Sequence, residues 1–230
     1  MVRLFCLPCA GGGQAMYNGW GKILGDNVLV TPIELSGRGR RFSEPLYCNI
    51  EEALKDIYDE VCSNIDNNEI SFFGYSMGAL LSYEVAKRLE TQENVQIKHI
   101  FLGASDPPKR QRHPVFSILN KGRLKKAIID MGGIPKEIIA QPEFLDFYMP
   151  VIENDLRVME EYVVGIEVYK LNCDASIFYA PNDLYTHCEE LLKWSNFIHG
   201  KCSWFEYQGE HFFLNDYKNE ILQRIKEQLI

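Results

Sequence analysis

Short apolar runs rich in Val, Ile and Phe alternate along the chain with segments whose apolar residues recur at helical spacing. That alternation is the pattern of a parallel sheet covered on both faces by helices. Strands are predicted at 3–7, 27–31, 70–73, 98–103, 176–180 and 202–207. Between them, Leu54, Ile57, Tyr58, Val61 and Ile65 share one helical face, and Ile221, Leu222, Ile225 and Leu229 share another. The segment after Ser76 carries Ala79, Leu80, Leu81, Tyr83, Val85, Ala86 and Leu89, apolar nearly all round, as in a helix enclosed by its neighbours. Residues 107–164 break the alternation: they hold no clear strand, contain Gly132-Gly133, and place Ile138, Ile139, Phe144, Phe147 and Tyr148 in helix-like context. The expected architecture is one α/β domain over 1–230, interrupted at about 107–164 by a helical insertion that acts as a lid.

One pentapeptide gives this framework a chemistry. Gly74-Tyr75-Ser76-Met77-Gly78 follows a predicted strand and precedes a predicted helix, the context a Gly-x-Ser-x-Gly elbow requires. Its glycines permit a sharp strand-to-helix turn that exposes the serine, and the Met77 amide falls at the helix N-terminus, where it can meet negative charge on an acyl oxygen. A serine hydroxyl needs a base, and the base needs an orienting acid. His211, in Gly209-Glu210-His211-Phe212-Phe213 after the last strand, is the candidate base, and the other four histidines read as surface or packing residues. Asp183, in Ala180-Pro181-Asn182-Asp183, lies beyond a strand at the carboxyl edge where sites in such sheets form, and it is the candidate acid. Asp155 in the insertion is the reserve, whereas Asp174 precedes its strand and belongs to the wrong edge. A second oxyanion amide is expected from the loop Pro8-Cys9-Ala10-Gly11-Gly12-Gly13, with Ala10 the first choice and Cys9 the next.

Composition and charge narrow the partners. With 46% hydrophobic residues in 230, one well-filled core is expected. A net charge of -8 argues against nucleic acid, and Gly-x-Gly-x-x-Gly and Gly-Lys-Ser/Thr are both absent, which argues against nucleotide binding. The apolar runs are too short to span a membrane and the first eight residues are too short for a signal peptide, so a cytoplasmic, soluble protein is expected. Seven cysteines form no regular framework, in keeping with a reducing compartment. Cys6-x-x-Cys9 reads as two small buried residues at a strand end rather than as a redox or zinc motif. Two basic runs, Arg38-Gly39-Arg40-Arg41 and Lys109-Arg110-Gln111-Arg112-His113, stand against the acidic whole, each open to reading as a solvated surface.

Over nearly its whole length the chain resembles the type II thioesterases, free-standing α/β-hydrolases that accompany nonribosomal peptide, polyketide and fatty acid synthases. The resemblance rests on Leu7-Pro8-Cys9-Ala10-Gly11-Gly12, on Glu34-Leu35-Ser36-Gly37-Arg38-Gly39-Arg40-Arg41, on the elbow, on Met131-Gly132-Gly133-Ile134-Pro135-Lys136-Glu137, and on the lid segment from Leu145 through Tyr162. Two departures are visible: Ser36 replaces the usual proline, and Glu210 the usual glycine before the histidine. The resemblance implies an α/β-hydrolase fold and hydrolysis of acyl or aminoacyl thioesters on the phosphopantetheine arm of acyl or peptidyl carrier domains, by Ser76, His211 and Asp183 with the Met77 and Ala10 amides. It implies no cofactor and no metal, and a monomer is expected. A phosphate-bearing arm on an acidic carrier makes Lys109, Arg110 and Arg112 candidate carrier-binding residues. The rival readings are a serine esterase or lipase acting on free acyl esters, and a catalytically inactive hydrolase-fold binding module.

Overall fold

The computed structural model describes residues 1–109, 116, 118–134, 139–163 and 168–230. Six strands form one parallel sheet: β1 (Val2–Leu7), β2 (Val28–Pro32), β3 (Glu69–Tyr75), β4 (Ile97–Gly103), β5 (Asp174–Tyr179) and β6 (Cys202–Glu206), in the order β2-β1-β3-β4-β5-β6. Each predicted strand is present, with ends moved by one or two residues. Seven α-helices occur among the described residues: α1 (Trp20–Leu24), α2 (Ile50–Ser63), α3 (Met77–Gln92), α4 (Lys121–Asp130), α5 (Pro142–Glu161), α6 (Cys188–Leu191) and α7 (Leu214–Leu229).

The helices divide between the two faces of the sheet as their apolar spacing requires. On one face Ala53, Leu54, Ile57 and Val61 of α2 and the buried side of α3 pack on Phe5, Phe72 and Ile100. On the other, Trp20 and Leu24 of α1 and Ile221, Leu222 and Ile225 of α7 pack on Leu4, Phe73 and Phe101. Alternate residues of a strand point to opposite faces, which explains how Phe72 and Phe73 serve different cores. α3 is buried along most of its length, including Ser82 and Glu84.

Strand order reverses at β1. The chain runs outward from β1 to β2, then crosses back to place β3 on the other side of β1, with Leu7 registered against Gly74. Loops leaving the carboxyl ends of β1 and β3 therefore diverge, which opens a crevice at the site where open α/β sheets bind ligands. The loop after β1 and the turn after β3 border that crevice.

The insertion supplies α4 and α5, whose Leu124, Ile128, Leu145, Met149, Ile152 and Leu156 form a third apolar cluster that reaches Ala10. α5 runs through an internal proline, Pro150. No helix among the described residues is long and apolar enough to cross a membrane.

Candidate active site

Ser76 sits at φ 55° and ψ -116°, a sparsely populated region for a non-glycine residue. The turn is possible because its two glycines lack side chains. A Cβ on Gly74 would lie 2.1 Å from the Gly78 carbonyl oxygen, and one on Gly78 would lie 2.0 Å from that of Leu7. The elbow thus packs directly against the end of β1, bringing the serine beside the loop that follows it.

Three predicted residues converge here. Ser76 Oγ donates to His211 Nε2 at 3.0 Å, and His211 Nδ1 donates to Asp183 Oδ2 at 2.8 Å. His211 and Asp183 are both buried, Ser76 only partly so. The carboxylate beside Nδ1 keeps the imidazole proton on that nitrogen and leaves Nε2 to accept from the serine. Asp183 is itself fixed, since Oδ1 accepts the Tyr185 amide at 2.8 Å and Oδ2 accepts the Thr186 hydroxyl at 3.0 Å. The spacing Asp-x-x-Thr after a strand end is the local signal for such a turn, and the sequence reading passed over it. Glu210, which stands where the family has glycine, is exposed, and the backbone freedom falls one residue earlier, at Gly209 with φ +111°.

The amides of Met77 and Ala10 have no acceptor among the described residues. Met77 begins α3, so its N–H points out of the helix end with the positive pole of the dipole behind it. Ala10 lies in a loop held at several points: the Gly12 amide donates to the Cys9 carbonyl at 2.8 Å, and the Gln14 amide donates to the buried carboxylate of Glu34 at 3.0 Å. Cys9 and Cys6 are both buried, and burial holds the Cys9 thiol up at about 12, which leaves it a packing group.

Asp155, the reserve acid, is elsewhere. It forms a two-pronged ion pair with Arg38, at 2.5 Å from Nη1 to Oδ2 and 2.7 Å from Nη2 to Oδ1, and it does not contact His211. Burial works against the Arg38 charge, but the Asp155 carboxylate prevails and raises its pKa. The run 38–41 is therefore not a solvated surface. Arg38 is buried, Arg41 is bound to Asp56 and Glu44, and of the three arginines Arg40, paired with Glu60, is the exposed one. Ser36, in place of proline, uses the amide that proline lacks to donate to Tyr47 Oη at 3.0 Å, and its hydroxyl donates to the Pro45 carbonyl.

Of the candidate carrier-binding residues, Lys109 is partly exposed and bound to Asp106 at 2.8 Å, while Arg110 and Arg112 lie outside the described residues, as do Pro135, Lys136 and Glu137 of the insertion motif.

Beneath α4 and α5 lies a mainly apolar cavity of about 440 Å³. Its wall runs from the loop residues Ala10 and Gly11 across Ile128, Met131 and Ile152 to Phe212, the neighbour of His211. Phe42 from the loop after β2 and Phe147 from α5, both exposed, stack at 5.5 Å and line the cavity. The elbow, base, two unengaged amides and an adjoining apolar cavity are the parts needed for acyl transfer.

A family model described as thioesterase domain matches residues 2–229. The chain is 27% identical over 224 residues to the medium-chain S-acyl fatty acid synthase thioesterase of Homo sapiens, a match that covers 96% of this chain and 83% of that protein. Among solved structures, ClbQ from the colibactin NRPS/PKS pathway superposes with a TM-score of 0.93 at 27% identity, covering 99% of this chain and 96% of that one. The RedJ thioesterase from the prodiginine biosynthetic pathway in Streptomyces coelicolor superposes with a TM-score of 0.91 at 30% identity, covering 99% and 85%.

Proposed function

The chain belongs to the thioesterase domain family, thioester hydrolases of the α/β-hydrolase fold, and from that premise we propose that it is a type II thioesterase that clears acyl or aminoacyl groups from the phosphopantetheine arms of carrier domains. The observation that carries the reading is the chain Ser76–His211–Asp183, with hydrogen bonds of 3.0 and 2.8 Å, set beside an apolar cavity. ClbQ, from an NRPS/PKS pathway, and BorB, a type II thioesterase from the borrelidin biosynthetic cluster, support a synthase as the setting.

In this mechanism Ser76 Oγ attacks the thioester carbonyl carbon as His211 Nε2 takes the hydroxyl proton. The Met77 and Ala10 amides receive the oxyanion, in a site where preorganised donors act more strongly than in water. Collapse breaks the carbon–sulfur bond, and His211 returns the proton to the departing thiol. A water then gives a proton to His211 as it attacks the acyl-serine carbonyl, and collapse breaks the bond from carbon to Oγ, with His211 returning that proton to Ser76 as the acid leaves. Asp183 keeps the imidazole oriented and offsets its transient positive charge. Every step is assigned to side chains, amides and water, with no cofactor. The acyl chain is assigned to the cavity under α4 and α5, and the carrier to the basic run that holds Lys109, Arg110 and Arg112.

The test is turnover of carrier domains loaded with different acyl groups, compared with matched oxygen esters. Preference for carrier-bound thioesters supports the proposal. Equal or faster hydrolysis of free oxygen esters would favour the esterase reading instead.

A further inference from the structure

The loop that carries Ala10 and the long insertion helix α5 share one buried ion pair. Asp155 Oδ2, while bound to Arg38, also accepts the Gly11 amide at 2.8 Å. Arg38 Nη1 donates in turn to the Gly12 carbonyl at 3.1 Å, and its Nε donates to the Ser36 carbonyl at 3.3 Å. The two ends of one ion pair thus fix the amide of residue 11 and the carbonyl of residue 12, directly after Ala10. α5 also closes on this loop sterically: Gly11 has φ +71°, and a Cβ there would lie 2.6 Å from Ile152 Cγ1, three residues before Asp155.

A pair this deeply buried, with side chains 1% and 2% exposed, is a poor source of net stability, because desolvation offsets much of the attraction. Its value lies in geometry. The guanidinium fork and the carboxylate are planar, directional groups, and here they fix two peptide units of the loop, 10–11 through its N–H and 12–13 through its carbonyl. An oxyanion donor displaced by about 1 Å forfeits much of its effect.

Resting on the reading of Ser76 as an acyl-transfer nucleophile, we propose that Arg38 and Asp155 are positioning residues that hold the Ala10 amide in its oxyanion-binding orientation, so that the hole is complete only while α5 is seated on the core. Lifting α5 would remove the acceptor of the Gly11 amide and strand the Arg38 charge. The lid helix is in this sense part of the catalytic apparatus as well as a cover, and docking that disturbs α5 would switch off the hole without touching Ser76 or His211.

Three variants test this: Asp155→Leu, Asp155→Asn, and the double variant Arg38→Met with Asp155→Leu, which removes both charges and so avoids an unpaired buried ion. Each is read by kcat and KM on a short acyl thioester, by the rate at which a fluorophosphonate labels Ser76, and by the pH profile of kcat/KM. The folded double variant is expected to lose roughly tenfold to a hundredfold in kcat and in labelling rate, with KM changed less than about threefold. Asp155→Asn, whose amide oxygen can still accept from Gly11, recovers part of the loss relative to Asp155→Leu. The midpoint of the pH profile stays in place, because His211 is bound to Asp183 and not to this pair. If the leucine variants fail to fold, Arg38→Lys substitutes, keeping the charge but giving up the fork, with kcat about fivefold lower at unchanged KM.

Wild-type kcat in the folded double variant or in Arg38→Lys, equal losses for Asp155→Asn and Asp155→Leu, or a moved pH midpoint would overturn the proposal. Labelling requires the serine, its base and the oxyanion donors but neither carrier nor thioester. A wild-type protein that is labelled yet leaves carrier thioesters intact would therefore defeat the proposed substrate and leave this test standing.

Discussion

Tyr75, the residue beside the nucleophile, donates its buried hydroxyl to the backbone carbonyl of His211 at 2.6 Å. The same oxygen accepts the Leu214 amide at 3.4 Å. One side chain in the middle of Gly-x-Ser-x-Gly thereby ties the elbow after β3 to the loop that delivers the base, 136 positions further along. Ser76 and His211 are held in register through this bond as well as through their own.

Tyr75→Phe keeps the ring and deletes the bond, leaving the His211 carbonyl without this donor. Such a loss costs about 1–3 kcal/mol, and denaturant unfolding should show it as a lowered midpoint at unchanged slope. Turnover should fall with it, because the base loop gains freedom. Unaltered stability and unaltered kcat together would mean that the loop is held by packing alone.

Ser76→Ala should abolish turnover while the fold persists, a loss on the order of a millionfold in well-studied hydrolases. Asp183→Asn should cost roughly ten-thousandfold by leaving His211 in the wrong tautomer. Asp155→Asn should cost far less than Asp183→Asn. The reverse order would mean that Asp155 reaches the histidine during catalysis and that the acid is misassigned.

The elbow was legible because its signal is local: strand, five residues and helix lie within one short stretch. The six strands were legible for a similar reason, as compact runs of Val, Ile and Phe between turn residues. The Arg38–Asp155 pair was not. Its partners are 117 positions apart, and in isolation Arg38 reads as one cation in an exposed cluster. A trace did exist, since Asp155 stands on the same helical stripe as Ile152, Leu156 and Met159, where a carboxylate must find a buried partner. Sequence spacing announces such a need without naming the residue that meets it. Thr186 was missed for the converse reason, because a threonine near a strand end has many ordinary uses.

His99 should make the fold sensitive to acid. It is buried on β4, its Nε2 is 2.9 Å from Ser176 Oγ, and burial holds its pKa down at about 4, although Asp174, in register on β5, pulls upward. The unfolded chain binds that proton near about 6.5. The neutral imidazole therefore contributes its full stability above about 6.5, and the contribution is lost as pH falls from there towards 4. It amounts to a few kcal/mol, on the order of 2–3. His99→Gln should flatten this limb, seen as a smaller drop in melting temperature between pH 6.5 and 4 than the parent shows. Parallel limbs would rule the histidine out as the sensor.

Replacing Lys109, Arg110 and Arg112 together by alanine should slow turnover of carrier-bound substrate and reduce its dependence on salt, with a short acyl thioester hydrolysed as before. The expected loss is moderate, since Lys109 already spends part of its charge on Asp106. Equal losses on both substrates would point to damage at the site, and no loss on either would move carrier docking to another face.

Chain-length preference follows from the cavity. Each methylene buried in an apolar wall contributes about 0.8 kcal/mol, or roughly fourfold in kcat/KM when the chain stays bound through the transition state. A series of straight-chain acyl thioesters should therefore climb about fourfold per carbon until the space of about 440 Å³ is full, then level or fall. Met131, which lines that wall at the C-terminal end of α4, is a side chain whose enlargement should fill part of the space. In Met131→Trp the climb should end several carbons earlier, so that long chains lose at least tenfold in kcat/KM while the shortest lose little. The slope below the break should be the same in both proteins, because the remaining wall is unaltered. A uniform loss at every chain length would show that the tryptophan had displaced α4 and α5, and an unshifted break would show that the acyl chain leaves Ser76 in another direction.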